Sequence, residues 1–212
     1  MNLFTILGER CSGTNFLENA ILENFDIGLT WTFGNKHFFG HHKYKNSDNV
    51  LFIGIVRNPY DWVNSFYRDK HHLPPELTAN VESFLCNEFY SINEGKEIME
   101  DRNIINNNRY SNIYESRFIK TKFLIEEMPK KVKNYILIKY EDLNNNYEKT
   151  HEIIEKQFNL KRKNKDFVKI EHYRGKKKLE KVKSILNNYK IDKKLFFDKM
   201  LDKTIEKKLG YL

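Results

Sequence analysis

The sequence predicts a three-layer α/β fold in which helices flank a parallel sheet. Three short, almost continuous apolar runs, at residues 2–7, 50–56 and 135–140, are typical of strands that are buried on both faces. A segment with the apolar spacing of a helix follows each run, and alternation of strands and helices favours a parallel sheet. A length of 212 residues suits one such fold, so residues 1–212 are predicted to form a single domain.

The first predicted element is a strand, a loop and a helix, at residues 2–7, 8–13 and 14–23. Such a loop directs backbone N–H groups and the positive end of a helix at one place, which suits a phosphate or sulfate group. The spacing of Gly8 and Gly13 is that of a nucleotide-binding P-loop, but Thr14 and Asn15 stand where that motif has Lys and Ser or Thr. An ordinary Mg-ATP site is therefore not expected, and a turn without a ligand is the alternative.

The next predicted strand, at residues 28–32, leads into a loop at 33–49 that is rich in titratable side chains. These are Lys36, His37, His41, His42 and Lys43. Loops on an α/β scaffold are where catalytic groups usually lie. Three close histidines could instead bind zinc, but no cysteine and no nearby His-x-x-x-His helix completes the ligand set, so no metal site is predicted.

The clearest buried strand is 50–56, which ends at Arg57. Asn58 and Pro59 then provide an N-cap and a first-turn proline for a helix that reaches about residue 69. The further predicted elements are helices at 81–90 and at 111–128, the latter ended by Pro129, a strand at 135–140, and helices at 147–158 and 191–209.

Composition and charge limit the function classes. Two cysteines, Cys11 and Cys86, form no disulfide framework, no signal peptide opens the chain, and no apolar run approaches membrane-spanning length. A cytoplasmic protein without a membrane partner is expected. The net charge of +8 is concentrated in residues 156–183, where twelve Lys and Arg face three acidic residues. Such a run is either a solvated surface or a surface for a polyanion.

Three runs of the sequence together resemble the sulfotransferases that use 3′-phosphoadenosine-5′-phosphosulfate (PAPS). They are Ser12-Gly-Thr14, the strand-end run 56–65 (Val-Arg-Asn-Pro-Tyr-Asp-Trp-Val-Asn-Ser), and Lys139-Tyr-Glu-Asp-Leu143. The opening at 8–15, the Lys36-His37 pair and the terminal Leu209-Gly-Tyr-Leu212 resemble a little-characterised microbial branch of these proteins. The resemblance covers essentially the whole chain, with its motifs in the family's order.

The resemblance implies PAPS as sulfuryl donor, no metal, and three groups of nucleotide-binding residues. The first run is similar to the 5′-phosphosulfate loop, and the second is similar to the 3′-phosphate motif. A basic stretch of the tail is similar to the family's segment that folds over the 3′-phosphate. In this chain the implied residues are Arg10, Cys11, Ser12, Gly13, Thr14 and Asn15, then Arg57 and Ser65, then Arg174, Gly175 and Lys176. An exposed ion pair with Asp61 is the alternative role for Arg57.

One departure from the family concerns the cation before Ser-Gly-Thr. The family carries Lys or Arg there, whereas this chain has Cys11, so either Arg10 or Lys36 is expected to contact the leaving phosphate. The family's base is often a histidine or glutamate before the 3′-phosphate strand. His37 has that position, and His41, His42 or a carboxylate are the alternatives.

The expected activity is transfer of a sulfuryl group from PAPS to a hydroxyl or amine of a glycan or small molecule. Two rival functions stay open. One is a P-loop-type nucleotide or small-molecule kinase, which the missing Gly-Lys-Ser/Thr disfavours. The other is a non-enzymatic protein that binds nucleic acid through residues 156–183.

Overall fold

The structure is a computed structural model and describes residues 1–38, 44–173, 177–178 and 191–212. These residues form ten α-helices and eight strands. The strands are β1 (Leu3–Gly8), β2 (Gly28–Leu29), β3 (Val50–Val56), β4 (Ile92–Asn93), β5 (Lys96–Glu97), β6 (Tyr135–Lys139), β7 (His172–Tyr173) and β8 (Lys177–Lys178). The helices are α1 (Thr14–Asn24), α2 (Pro59–Arg68), α3 (Pro75–Thr78), α4 (Val81–Cys86), α5 (Ile113–Lys122), α6 (Met128–Lys131), α7 (Tyr140–Asn145), α8 (Tyr147–Phe158), α9 (Ile191–Met200) and α10 (Lys203–Lys208).

A four-stranded parallel sheet with the order β2-β1-β3-β6 confirms the α/β prediction. β3 is central and buried along its whole length. Its register places Val50 beside Leu3 of β1 and Phe52 beside Tyr135 of β6. Because all four strands run the same way, the segments that follow them leave from one edge of the sheet.

The chain divides into two compact units, which we call the first and the second unit. The first unit consists of Met1–Arg57 and Leu124–Lys181, and the second consists of Asn58–Phe123 and Val182–Leu212. The prediction of a single domain stays a prediction.

In the first unit, the core is formed by aliphatic and aromatic side chains of the sheet, α1 and α8. Phe16, Leu17, Ala20 and Ile21 lie on the buried side of α1, at the spacing that the sequence predicts for a helix face. α8 contributes Ile154 to the same cluster. This packing fixes α1, and therefore its N-terminal end, against β1 and β3.

A buried amide connects the far end of α1 to later parts of the first unit. The Nδ2 group of Asn24 donates to Tyr147 Oη (2.9 Å) and to the Val168 carbonyl oxygen (3.0 Å). The backbone N–H of Val168 donates to Asn24 Oδ1 (2.7 Å). One side chain thus fixes the chain at Val168, just before β7.

The second unit has a core of aromatic rings and two buried ion pairs. Its largest fully buried side chains are Trp62, Phe66, Phe84, Phe89, Tyr110 and Phe197. Arg117 on α5 forms a two-point ion pair with Glu206 on α10, with N–O distances of 2.6 and 2.9 Å. Lys120 Nζ lies 2.9 Å from Asp101 Oδ1, and all four charged side chains are almost completely buried.

Two predicted helices are wrong in their extent. The predicted helix at 111–128 ends at Lys122 and passes through a π-helical segment (Phe123–Glu127) into α6. Pro129 therefore lies in the first turn of α6, where its missing N–H costs no helical hydrogen bond. The predicted terminal helix is two helices, because the Asp202 side chain accepts a bond from Ile205 N (2.9 Å) and caps α10.

Other element boundaries also differ from the predictions. β2 has two residues instead of five. Thr30 donates one further bond to the Phe4 carbonyl oxygen (2.8 Å), and the chain turns directly after it, which ends the strand. α4 ends at Cys86 rather than near residue 90. The run after β6 is helical, and the β4–β5 and β7–β8 hairpins were not predicted. By contrast, the predicted bounds of β3 and α8 are confirmed.

Two further findings concern membranes and cysteines. In the part of the chain that the structure describes, every helix is too short or too polar to cross a membrane. Cys11 and Cys86, which both lie in that part, form no disulfide.

Candidate anion-binding site

The loop between β1 and α1 has an unusual backbone that only a few residue types favour. Cys11 has a φ of 62° and Gly13 a φ of 95°, both in the left-handed region. Gly13 is the residue before α1 and its carbonyl accepts the N–H of Leu17 (2.9 Å). Successive amides in such a conformation, followed by a helix, form a concavity that favours an anion. Ser12 and Thr14 are buried on either side of Gly13.

Tyr140, the residue directly after β6, covers this loop. A Cβ atom on Gly13 would lie 2.4 Å from Tyr140 Cδ2, so no other residue fits there without displacing the ring. Glycine at 13 therefore serves two purposes: it accepts the left-handed φ and it admits the ring of Tyr140. The loop and the end of β6 are in direct contact for this reason.

Arg57, the residue directly after β3, contacts both the β1–α1 loop and Tyr140. Its Nη1 group donates to the Cys11 carbonyl oxygen (3.0 Å). Its guanidinium lies 4.4 Å from the centroid of the Tyr140 ring, a cation–π distance. The planar guanidinium is thereby held beside the loop, and such a group can bind a phosphate through two N–H groups.

Lys36 reaches the site from the segment that follows β2. Its carbonyl oxygen accepts the N–H of Gly8 (2.8 Å), which binds the segment to the end of β1. Its Nζ atom donates to Asn15 Oδ1 (2.5 Å) and to Glu18 Oε2 (2.8 Å), both on α1. An ammonium group thus lies at the first turn of α1.

His37 is oriented by the same strand end. Its Nδ1 atom lies 3.1 Å from the Gly8 carbonyl oxygen. A carbonyl oxygen can only accept, so we assign the proton of the neutral ring to Nδ1. Nε2 then carries the lone pair and is the nitrogen that can take a proton.

The site therefore brings two cationic side chains, those of Lys36 and Arg57, to the loop and the first turn of α1. Arg10 lies half-buried in the loop, and Lys36 and Arg57 approach from the ends of neighbouring strands. α1 has no acidic residue in its first turn, although Glu9 is buried in the loop and Glu18 on the second turn pairs with Lys36. The first turn itself therefore does not oppose the attraction of the positive helix end for an anion.

No family model matches the chain, and no curated protein matches its sequence.

The structure brings together most of the residues that the sequence predicts for the loop. Cys11, Gly13, Asn15, Lys36, His37 and Arg57 are connected by the contacts given above. Ser65 is buried on α2, in the second unit. His41, His42 and Lys43, and Arg174, Gly175 and Lys176, lie outside the described residues.

Two residues at the site were not found by sequence reasoning. Tyr140 covers Gly13 and contacts Arg57, and its position at the end of a parallel strand was the available signal. Glu18 contacts Lys36 and lies three residues after Asn15, on the same face of α1. Tyr140 belongs to the run Lys139-Tyr-Glu-Asp-Leu143, but that run did not predict its contacts with Gly13 and Arg57, and Glu18 belongs to no motif.

Metal binding has no support among the described side chains, where no three His, Cys, Asp or Glu residues gather at coordinating distance. The zinc alternative involved His41 and His42, which lie outside that part of the chain.

Proposed function

We propose that the protein is a PAPS-dependent sulfotransferase. The observation that carries this proposal is the convergence of three strand-end segments at one loop. The loop at 8–13 follows β1, Lys36 and His37 follow β2, and Arg57 follows β3. In open α/β sheets this edge is where ligands bind.

The donor's two anionic groups would take different partners. The loop amides and Lys36 are suited to the 5′-phosphosulfate, since they surround the first turn of α1. Arg57 offers a planar fork for the 3′-phosphate, and Ser65 is assigned to the same phosphate by the sequence motif. The sequence resemblance assigns Arg174, Gly175 and Lys176 to a segment that folds over the same phosphate.

The proposal includes the predicted fold, in which a three-layer arrangement carries a P-loop-like turn.

Lys36 is the better of the two candidates for the cation that the family carries before Ser-Gly-Thr. Its Nζ atom lies at the first turn of α1, bound to Asn15 (2.5 Å), which is where the leaving phosphate would lie. Arg10 remains a second cation of the loop.

In the proposed reaction His37 Nε2 takes the proton of the acceptor hydroxyl as its oxygen attacks sulfur. The new S–O bond forms while the bond between sulfur and the 5′-phosphate oxygen breaks, and 3′,5′-ADP leaves with the electron pair. Lys36 and the loop amides stabilise the charge that develops on the leaving oxygen. The proton held on Nδ1 by the Gly8 carbonyl keeps Nε2 available as the base.

The first test compares binding of 3′,5′-ADP and 5′-AMP by calorimetry. We expect tight binding of 3′,5′-ADP alone, because Arg57 would contact the 3′-phosphate. Arg57→Ala should weaken binding by about 2–4 kcal/mol, the range for truncating one partner of a desolvated charge pair. Arg162→Ala is the matched control, since Arg162 pairs with Glu155 on the surface (2.6 Å).

Three results would contradict this assignment. Equal affinities for the two nucleotides would remove the 3′-phosphate site. Preference for ATP with Mg²⁺ over 3′,5′-ADP would favour the kinase. Steeply salt-dependent oligonucleotide binding without competition by nucleotides would favour the nucleic-acid-binding protein.

The second test concerns the base and begins with a screen of acceptors against radiolabelled PAPS. With the acceptor found, His37→Ala should lower turnover by about 10²–10⁴ and leave affinity for 3′,5′-ADP nearly unchanged. His71→Ala, an exposed histidine of the second unit, is the control. Full turnover in His37→Ala beside a loss in His41→Ala or His42→Ala would move the role along the loop.

A further inference from the structure

Trp31 is an exposed indole on a firmly held backbone. It is 41% exposed, whereas Trp62, the other tryptophan of the chain, is fully buried. On one side Thr30 N donates to the Phe4 carbonyl oxygen of β1 (2.8 Å), and on the other Gly34 N donates to the Trp31 carbonyl oxygen (3.1 Å). Phe33 in the same turn is buried against Phe52 of β3, with ring centroids 5.3 Å apart. Little backbone entropy remains to be lost when a ligand binds this ring.

A donor and an acceptor lie beside the indole. Lys36 Nζ is 5.5 Å from the centroid of the Trp31 ring, and Glu18 Oε2 is 2.8 Å from that Nζ. The Lys36 side chain is 17% exposed and that of Glu18 is 22% exposed. Both side chains are therefore fixed by their mutual contact and remain partly exposed.

We propose that Trp31, Lys36 and Glu18 form an acceptor subsite that binds a carbohydrate ring. The C–H face of a pyranose packs on an indole, which supplies a large apolar surface at low conformational cost. Neighbouring hydroxyls of the sugar donate to the Glu18 carboxylate and accept from the Lys36 ammonium, both as charge-assisted hydrogen bonds.

The pair of charges favours a sugar over a phenol. A phenol stacks on the indole with a single hydroxyl, so the carboxylate and the ammonium group must share one oxygen. A sugar with vicinal hydroxyls gives each charged group a hydroxyl of its own. The observations therefore favour a carbohydrate over an aromatic acceptor.

This inference rests on the proposed function, because it places the acceptor beside the proposed base. Lys36 belongs to the acceptor subsite and to the proposed active site. Its side chain borders the indole, and its backbone precedes His37 and binds Gly8. A ring on Trp31 would thus present a hydroxyl toward the segment that carries His37.

The test follows the two indole N–H signals of the protein in proton–nitrogen correlation spectra. Trp31→Phe assigns the Trp31 signal by its loss. Cellohexaose, chitohexaose and mannohexaose are titrated separately, and 4-methylphenol serves as the aromatic probe. We expect at least one hexasaccharide to shift the Trp31 signal and leave the Trp62 signal in place. Trp31→Ala should weaken that saccharide's binding by about tenfold, as loss of one stacked ring predicts.

Two variants separate the subsite from general apolar or charge effects. Glu18→Gln should also weaken the saccharide, since it removes the charged acceptor. Met99→Ala, which truncates an exposed apolar side chain of the second unit, should leave affinity unchanged.

Binding of 3′,5′-ADP is measured on the same samples. If 3′,5′-ADP binds but no hexasaccharide moves the Trp31 signal, or only 4-methylphenol does, the subsite is wrong and the proposed function stands. If a hexasaccharide moves that signal but 3′,5′-ADP does not bind, the donor assignment is wrong and the carbohydrate subsite stands.

Discussion

The two units use the same charged residue types for different purposes. In the first unit, Lys36 and Arg57 lie in segments that follow strands. Lys36 binds the side-chain amide of Asn15 and the carboxylate of Glu18. Arg57 binds the Cys11 carbonyl oxygen and lies against the ring of Tyr140. In the second unit, Lys120 and Arg117 are buried and each is paired with a carboxylate. Lys36 is also paired with a carboxylate, but both side chains of that pair stay partly exposed. The degree of burial, not the number of charges, therefore distinguishes a candidate binding site from a structural ion pair.

The difference has a simple electrostatic origin. A buried ion pair has lost its hydration, so its two charges are satisfied by each other and offer little to a ligand. A cation whose partners are partly neutral keeps most of its attraction for an anion. The buried charge of the second unit and two positions of the first unit are expected to differ in their effect on stability, from the largest to the smallest.

The largest effect is expected when one buried charge of the second unit loses its partner. Arg117→Met leaves Glu206 as an uncompensated buried carboxylate and should lower the free energy of unfolding by about 3–5 kcal/mol. The measurement is urea unfolding. The double variant Arg117→Met/Glu206→Leu should recover most of the loss, because it removes both charges. A double variant as unstable as the single one would show that packing, not charge, causes the loss.

A medium effect is expected at Gly13. Gly13→Ala combines an unfavourable left-handed φ with a clash against Tyr140, and should cost about 1–3 kcal/mol of stability and weaken 3′,5′-ADP binding. Gly95→Ala is the matched control, because Gly95 has a φ of 77° and open space around a Cβ. Equal losses of stability in the two variants would mean that the Tyr140 contact contributes nothing.

The smallest effect concerns a histidine in the core of the first unit. His151 is fully buried beside Phe25, Tyr147 and Phe167, and this burial holds its pKa below the ordinary value of 6.5, although backbone hydrogen bonding opposes the shift. Burial raises the pKa of Tyr147 to about 12, so that neighbour stays neutral.

The sign of the pH dependence follows from the lowered pKa. Below pH 6.5 the unfolded chain binds the proton before the folded one does, so stability should fall as the pH decreases, by up to about 1.4 kcal/mol per pH unit. Urea unfolding between pH 7.5 and 5.5 measures this, and His151→Phe should reduce the slope. Parallel curves for the two proteins would contradict the assignment.

The sequence predicted those parts of the first unit in which local and long-range preferences agree. β3 is apolar throughout, α8 has one apolar face, and the β1–α1 loop has glycine where the backbone needs it. Each pattern lies within a few consecutive residues, so it predicts the element without information on which residues that element contacts in the folded protein.

Side-chain partners distant in sequence were not predictable in this way. Tyr140 meets Gly13, and Arg117 meets Glu206 across 89 residues, and neither position carries a local signal of its partner. The predicted helix at 111–128 was wrong for a related reason. Its apolar spacing is compatible with an α-helix, but the chain adopts a π-helical segment before Pro129.

The two hydrogen bonds between Asn24 and Val168 anchor the chain shortly before β7. β7 in turn lies beside α1. The first helix of the first unit thus holds one of its late segments by a side chain, and this buried amide opposes fraying of that segment.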